Sequence, residues 1–136
     1  CNRNGDSRWW AVDDSRLVGM VGLTHIQWPN RLAELNLIMA PDAWQQGNGA
    51  VDLLLEQAFD HLGLATVCGE CYHCSSQLNF WRDIVFGWQE KTRCGAYMTE
   101  LPLRKFWKGM FHNSLYFSLS AEAYRETRKW GLCPGS

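Results

Sequence analysis

The strongest constraint on the fold lies between residues 32 and 64. An alternating run, "LAELNLIMA", is stopped by Pro41; a glycine-bearing segment, "PDAWQQGNG", follows; then comes "AVDLLLEQAFDHLGL". The alternation predicts a strand over 32–40. Leu54, Leu55, Ala58, Phe59 and Leu62 fall at helical spacing and Gly63 is a stop, so the last segment predicts a helix of about four turns. A strand, a glycine loop and a helix in succession bring backbone N–H groups and the positive end of a helix dipole to one place, which suits a phosphate or pyrophosphate. Gly47 and Gly49 would let the backbone approach such a group closely. A plain turn into a helix has the same pattern. No Lys-Ser/Thr pair follows, so this is no Walker loop, and two glycines are too few for a dinucleotide fingerprint.

The flanking sequence reads as follows. Residues 1–8 are a polar end. "WWAV", "DDSR" and "LVGMVGL" predict strand, turn and strand, with Gly19 and Gly22 loosening the second strand. Residues 24–31 predict a loop, 65–73 a strand, and 75–84 a short helix with Ser75 or Ser76 as N-cap, ended by "FGW". Residues 88–100 show no clear period. "LRKFW" and "MFHNSLYFSLS" predict a hairpin about Lys108-Gly109, and Ser120 caps a closing helix. The order ββ-β-α-β-α-ββ predicts a mixed α/β sheet with few helices.

The chain has 136 residues, enough for one core, so a single domain over 1–136 is expected. Thirteen basic and fourteen acidic residues give a net charge of −1, which argues against a nucleic-acid surface made by bulk charge. No apolar run reaches the roughly 18–20 residues a membrane helix needs, so no membrane partner is expected. With no leader visible, the expected location is the cytoplasm and the six cysteines are expected to be reduced. Eight tryptophans predict core or pocket walls.

"CGECYHC" holds Cys68, Cys71 and Cys74. On a strand, Cys68 and Cys74 face one way and Cys71 the other, with the outer two roughly 20 Å apart. Zinc–sulfur bonds of about 2.3 Å cannot span that, so buried thiols are expected and no metal. A knuckle using Cys71, His73 and Cys74, with Cys133 as a distant fourth ligand, is the competing reading.

The run "RLAELNLIMAPDAWQQGNGAVDLLLEQAFDHLGLATVCGECY", with "LNFWRDIVFGW" after it, resembles the GCN5-related N-acetyltransferases (GNAT), closest to the branch holding the ribosomal-protein N-terminal acetyltransferases. The likeness covers roughly residues 9–120. It implies a mostly antiparallel sheet with flanking helices, a V-shaped splay between two central strands, and a shortened N-terminal part. Acetyl-CoA is the implied co-substrate and an amine the implied acceptor. Backbone groups of Leu37, Ile38 and Met39 are implied to pair with the pantetheine arm. Amides of Gln45, Gln46, Gly47, Asn48, Gly49 and Ala50 are implied to hold the pyrophosphate. Trp44 stands where the family has Gln or Arg. Cys74 or Ser75 falls where an Asn bonds the pantetheine, and Trp81 takes the place of an aromatic near the CoA sulfur.

Acyl transfer needs a base for the amine, and a carboxylate suits that task directly or through water. Glu70 is the first choice and Glu34 the second, each competing with a plain strand charge. Tyr72 and Ser76 are candidate donors to the leaving thiolate. His73, His25 and His112 have no motif support. The short start is expected to leave "WWAV" as an exposed edge that pairs in a homodimer. Two other functions compete: a non-catalytic CoA-binding or assembly module, and a thiol or metal protein built on "CGECYHC".

Overall fold

The computed structural model describes residues 6–13 and 15–131. Two compact units divide the chain, Cys1–Val67 and Cys68–Ser136. Six strands form one sheet in the order β1-β2-β3-β4-β6-β5, the mixed, mostly antiparallel architecture expected from the sequence.

The first unit opens with three antiparallel strands: β1 (Asp6–Asp13), β2 (Leu17–Gln27) and β3 (Leu32–Met39). Strand β3 alternates as its sequence predicts, burying Ala33, Leu35, Leu37 and Met39 on one face. Gly22 does not loosen β2. It pairs across with Trp9, and a Cβ there would stand 2.5 Å from the indole ring. β1 begins three residues before "WWAV", at Asp6, whose carboxylate accepts a 2.7 Å hydrogen bond from Trp28 Nε1.

Residues 24–27 are strand rather than loop. A bulge between Thr24 and Gln27 absorbs the irregularity, with His25 at φ 51°. Beyond β3, Pro41–Gln46 winds into a 3-10 turn that runs directly into α1 (Gly47–Glu56). The helix predicted from Ala50 therefore starts three residues earlier, and the two loop glycines belong to its first turn. A π-helical turn, Gln57–His61, ends it, and Gly63 takes φ 66°.

The second unit holds most of β4 (Thr66–Tyr72), then α2 (Leu78–Lys91), β5 (Ala96–Trp107), β6 (Met110–Ser120) and α3 (Ala121–Gly131). α2 is longer than the 75–84 segment predicted. Trp81, Val85 and Trp88 are buried at i, i+4 and i+7, so the apolar stripe continues through "FGW" instead of stopping there. Neither Ser75 nor Ser76 is its N-cap. Gln77 is, and Ser75 Oγ accepts the Gln77 N–H in the preceding turn at 3.0 Å.

β5 and β6 form the expected hairpin, with Lys108 at φ 50° and Gly109 at φ 81°. The unreadable 88–100 stretch is the end of α2 and the start of β5. Ser120 caps α3 as expected, its Oγ accepting the Ala123 N–H at 3.1 Å.

Phe117 of β6 centres the second unit's core. Its ring stacks on Trp81 at 5.1 Å and 25° and lies 6.1 Å from Trp88. Beneath it is Gly69 of β4, where a Cβ would come 2.4 Å from Phe117 Cζ. Gly69→Ala is expected to cost about 1–3 kcal/mol, because the ring must shift in a filled core. Gly49→Ala, whose Cβ meets nothing within 4 Å, is expected to gain about 0.5–1 kcal/mol from helix propensity. Urea unfolding of the two variants checks this opposite pair of signs.

Candidate active site

In the first unit, the residues expected to meet the co-substrate lie on β3 and the start of α1. Leu37 and Met39 point into the core and Ile38 is exposed. All three pair in register with β2, at Val21, Met20 and Gly19. At the start of α1, Gln45, Asn48 and Gly49 are exposed, Gln46 is half-buried, and Gly47 and Ala50 are buried. The Gly47 N–H donates to Trp44 O and the Ala50 N–H makes the first bond inside α1, so at least two of the six amides expected to hold the pyrophosphate already have acceptors within the chain.

No side chain caps α1, and its first turn carries no acidic residue. The start of this helix therefore keeps its positive end unneutralised by a capping side chain. Asp42, in the preceding 3-10 turn, is neutralised by Arg16 at 2.8 Å. That guanidinium holds the Asp42 carboxyl below its usual pKa. Glu34 is exposed on β3, with its Oε2 3.5 Å from His25 Nδ1. Next to it in register, Thr24 Oγ1 accepts 2.6 Å from Asn36 Nδ2.

In the second unit, β4 carries Glu70 and Tyr72. Glu70 Oε2 accepts from Arg104 Nε at 2.8 Å and from Ser114 Oγ at 2.5 Å. Ser114 is fully buried, and the Glu70 side chain is 25% exposed. The Arg104 bond, with help from Ser114, holds the Glu70 carboxyl below its usual pKa against a smaller opposing effect of burial. A general base is favoured by the reverse, a raised pKa and a free lone pair. Glu70 is an anchored carboxylate.

Arg104 and Ser114 were invisible as site residues. The bulge between Leu101 and Lys105, with Leu103 at φ 54°, turns Arg104 to meet β4, and only Pro102 hints at it. Asn113 holds the bulge: its Oδ1 accepts the Leu103 N–H at 3.0 Å, and its Nδ2 donates to Glu100 at 2.7 Å. Its backbone carbonyl accepts the His73 N–H at 2.9 Å, fixing the segment after β4.

Tyr72 is exposed, and Lys105 Nζ lies 5.2 Å from its ring centre. Cys74 and Ser75 are half-buried in the turn after β4, where the Ser75 N–H donates to Tyr72 O at 2.9 Å. Ser76 is exposed in the same turn. Trp81 is packed between Phe80 and Phe117. Cys68 and Cys71 are buried thiols, and burial pushes the Cys71 pKa up. Among the described residues no group of three or more His, Cys, Asp or Glu could hold a metal ion. Cys133 lies outside the described residues. Among those residues, too, no helix is long and apolar enough to cross a membrane.

The Glu70 anchor has a signed pH dependence. A lowered folded pKa contributes stability that is present above 4.5, the ordinary value, and is lost as pH falls through the folded value. Glu70→Gln is expected to lower stability at pH 7 by about 1 kcal/mol, a discounted figure because Arg104 is half exposed. The gap to the native chain is expected to narrow as pH falls below 4.5. Urea midpoints across that range check it.

Residues 1–74 match the family described as Acetyltransferase (GNAT) domain, more than half of the 136-residue chain. A search of curated proteins finds no significant match. Among solved structures, the spermidine/spermine N-acetyltransferase SpeG from Vibrio cholerae, solved with manganese ions, superposes with a TM-score of 0.70 at 22% identity. That match covers 88% of this chain and 68% of SpeG. A dodecameric spermidine N-acetyltransferase structure from the same organism gives 0.69 at 21% identity, covering 87% and 67%. At such identities the likeness is one of fold.

Proposed function

This chain belongs to the GNAT acetyltransferase family, and from that premise we propose that it transfers an acetyl group from acetyl-CoA to a primary amine by direct attack. The observation that carries the reading is the start of α1, without a side-chain cap or an acidic residue in its first turn and presenting Asn48 and Gly49 to solvent after the 3-10 turn that follows β3. Amides of this turn would hold the pyrophosphate, with Gly47 contributing its small size rather than its N–H. The backbone of Leu37, Ile38 and Met39 would align the pantetheine arm. Bound there, acetyl-CoA supplies the activated acyl group.

The chain's own task is to take a proton from the amine. Glu34 suits it better than Glu70, because Glu34 is exposed and among the described residues no guanidinium holds it. The tyrosine hydroxyl of Tyr72 is the donor proposed for the leaving thiolate, with Ser76 second. Cys74, Ser75 and Trp81 are proposed to flank the arm; Trp81 has no hydroxyl and serves by shape alone. The acceptor is a small amine, for which the spermidine neighbours suggest polyamines, or a peptide N-terminus, as the ribosomal-protein likeness implies. Within this reading the chain is cytoplasmic, and it self-associates as a homodimer through β1, an edge strand of the sheet. Anchoring of Glu70 favours a second reading, a CoA-binding module without turnover.

Gly49→Glu separates binding from folding. The site is open to a Cβ, and an acidic side chain in a first helical turn is stabilising. The variant is expected to melt no lower than the native chain, yet to bind acetyl-CoA at least about tenfold more weakly by calorimetry. Equal binding by a folded Gly49→Glu chain would remove the pyrophosphate site from α1. Glu34→Gln is expected to lower kcat/KM by about 10²–10⁴-fold while leaving acetyl-CoA affinity intact.

A further inference from the structure

The far end of the β5–β6 hairpin is apolar on both of its faces. Phe106 pairs across with Phe111, and Trp107 with Met110, so the two pairs point to opposite sides of the ribbon. All of these side chains are exposed, Trp107 to 47% and Phe106 to 62%, and Leu103 behind them is exposed as well. So much apolar surface gathered at one tip marks an interaction surface.

The charge at this tip has one sign. No Asp or Glu occurs between residues 101 and 121, whereas Arg104, Lys105 and Lys108 all do, in a chain whose net charge is −1. Arg104 is held by Glu70 at 2.8 Å. The two lysines lean on Trp107, with Lys105 Nζ 5.9 Å and Lys108 Nζ 5.8 Å from its ring. A lysine stem follows apolar surface in this way while its ammonium group stays in water. Two ammonium groups therefore flank the apolar end.

These features select the partner. A flat protein surface covers one face of a ribbon and leaves the other in water. A nucleic acid stacks on exposed rings and offers nothing to Met110 or Leu103. A lipid headgroup region surrounds whatever enters it, so both faces are covered at once. Aromatic rings, Trp above all, suit that boundary between apolar and wet surroundings. Anionic headgroups supply the charge opposite to Lys105 and Lys108. Contact of this kind needs no spanning helix, because an apolar end and a few basic residues suffice to hold a chain on a surface.

We propose that the tip of the β5–β6 hairpin, from Phe106 to Phe111, inserts into the headgroup region of an anionic lipid surface, with Lys105 and Lys108 meeting lipid phosphates. The contact goes beyond acetyl transfer and does not depend on it.

The test is co-sedimentation of the full chain with vesicles of phosphatidylcholine alone and with vesicles in which about one third is phosphatidylglycerol. The native chain is expected to bind the second kind at least about tenfold more tightly, and to be released as salt rises from about 0.05 to about 0.5 M. Three variants follow, each checked for a native circular dichroism spectrum and melt. Lys105→Glu/Lys108→Glu reverses the charge, Phe106→Ser/Phe111→Ser strips one face, and Trp107→Ser/Met110→Ser strips the other. Each is expected to weaken binding to the anionic vesicles at least about tenfold. The charge reversal alters no apolar side chain, so it stands as the test if a serine variant fails to fold.

A native chain that binds both kinds of vesicle equally, or neither, overturns the proposal. So does binding that survives the charge reversal. A loss confined to one face overturns it too, because an immersed ribbon uses both. If vesicles are ignored and the tip variants instead abolish self-association of the native chain, the proposal falls and the tip belongs to a contact with a second copy.

Discussion

The second unit depends on one close approach, the Phe117 ring lying directly on the backbone of Gly69. Any side chain at 69 would press on that ring and force it to shift. Because the ring is that low, Trp81 can stack on it and Trp88 can lean against it, which fixes α2 along the same line. The consequence for chemistry is direct. With Gly69 pinned, the next residue, Glu70, faces the other side of β4, where Ser114 and Arg104 reach it.

That anchoring separates two roles a strand carboxylate can play. A carboxylate holding a guanidinium and a buried hydroxyl stabilises the ionised form and becomes a poor proton acceptor. Glu34 lies exposed on β3, its Oε2 3.5 Å from His25 Nδ1. The start of α1 is organised differently again. Its amides come from a continuous 3-10 turn and helix, so this end of α1 has a fixed geometry rather than that of a pliable glycine loop.

Much of this was legible in the residues, and the failures share a cause. β3 declared itself by alternation, the hairpin by Lys108-Gly109, and α3 by Ser120. Each is a local signal with a local outcome. α2 runs past the "FGW" at which the sequence predicts its end, because burial of Trp88 against the core carries the helix on. The strand character of 24–27 was hidden by Pro29 and Asn30 just beyond it, and by the register shift between Thr24 and Gln27, where His25 takes φ 51°. Arg104 and Ser114 could not be found by spacing, because they reach Glu70 from 34 and 44 residues away through a bulge that only tertiary pairing creates. Trp81 lies on α2 with its ring packed against Phe80 and Phe117, neighbours that its position in the sequence does not announce.

The central claim is acetyl transfer to an amine, and thiol release tests it most directly. Purified chain is incubated with acetyl-CoA and a panel of primary amines that includes spermidine and short peptides, and free CoA is followed by a thiol reagent. The account predicts release that requires an amine from the panel, with the acetylated amine recovered by mass spectrometry. Tight binding of acetyl-CoA with no amine-dependent release across the panel would contradict it and leave a CoA-binding module in its place.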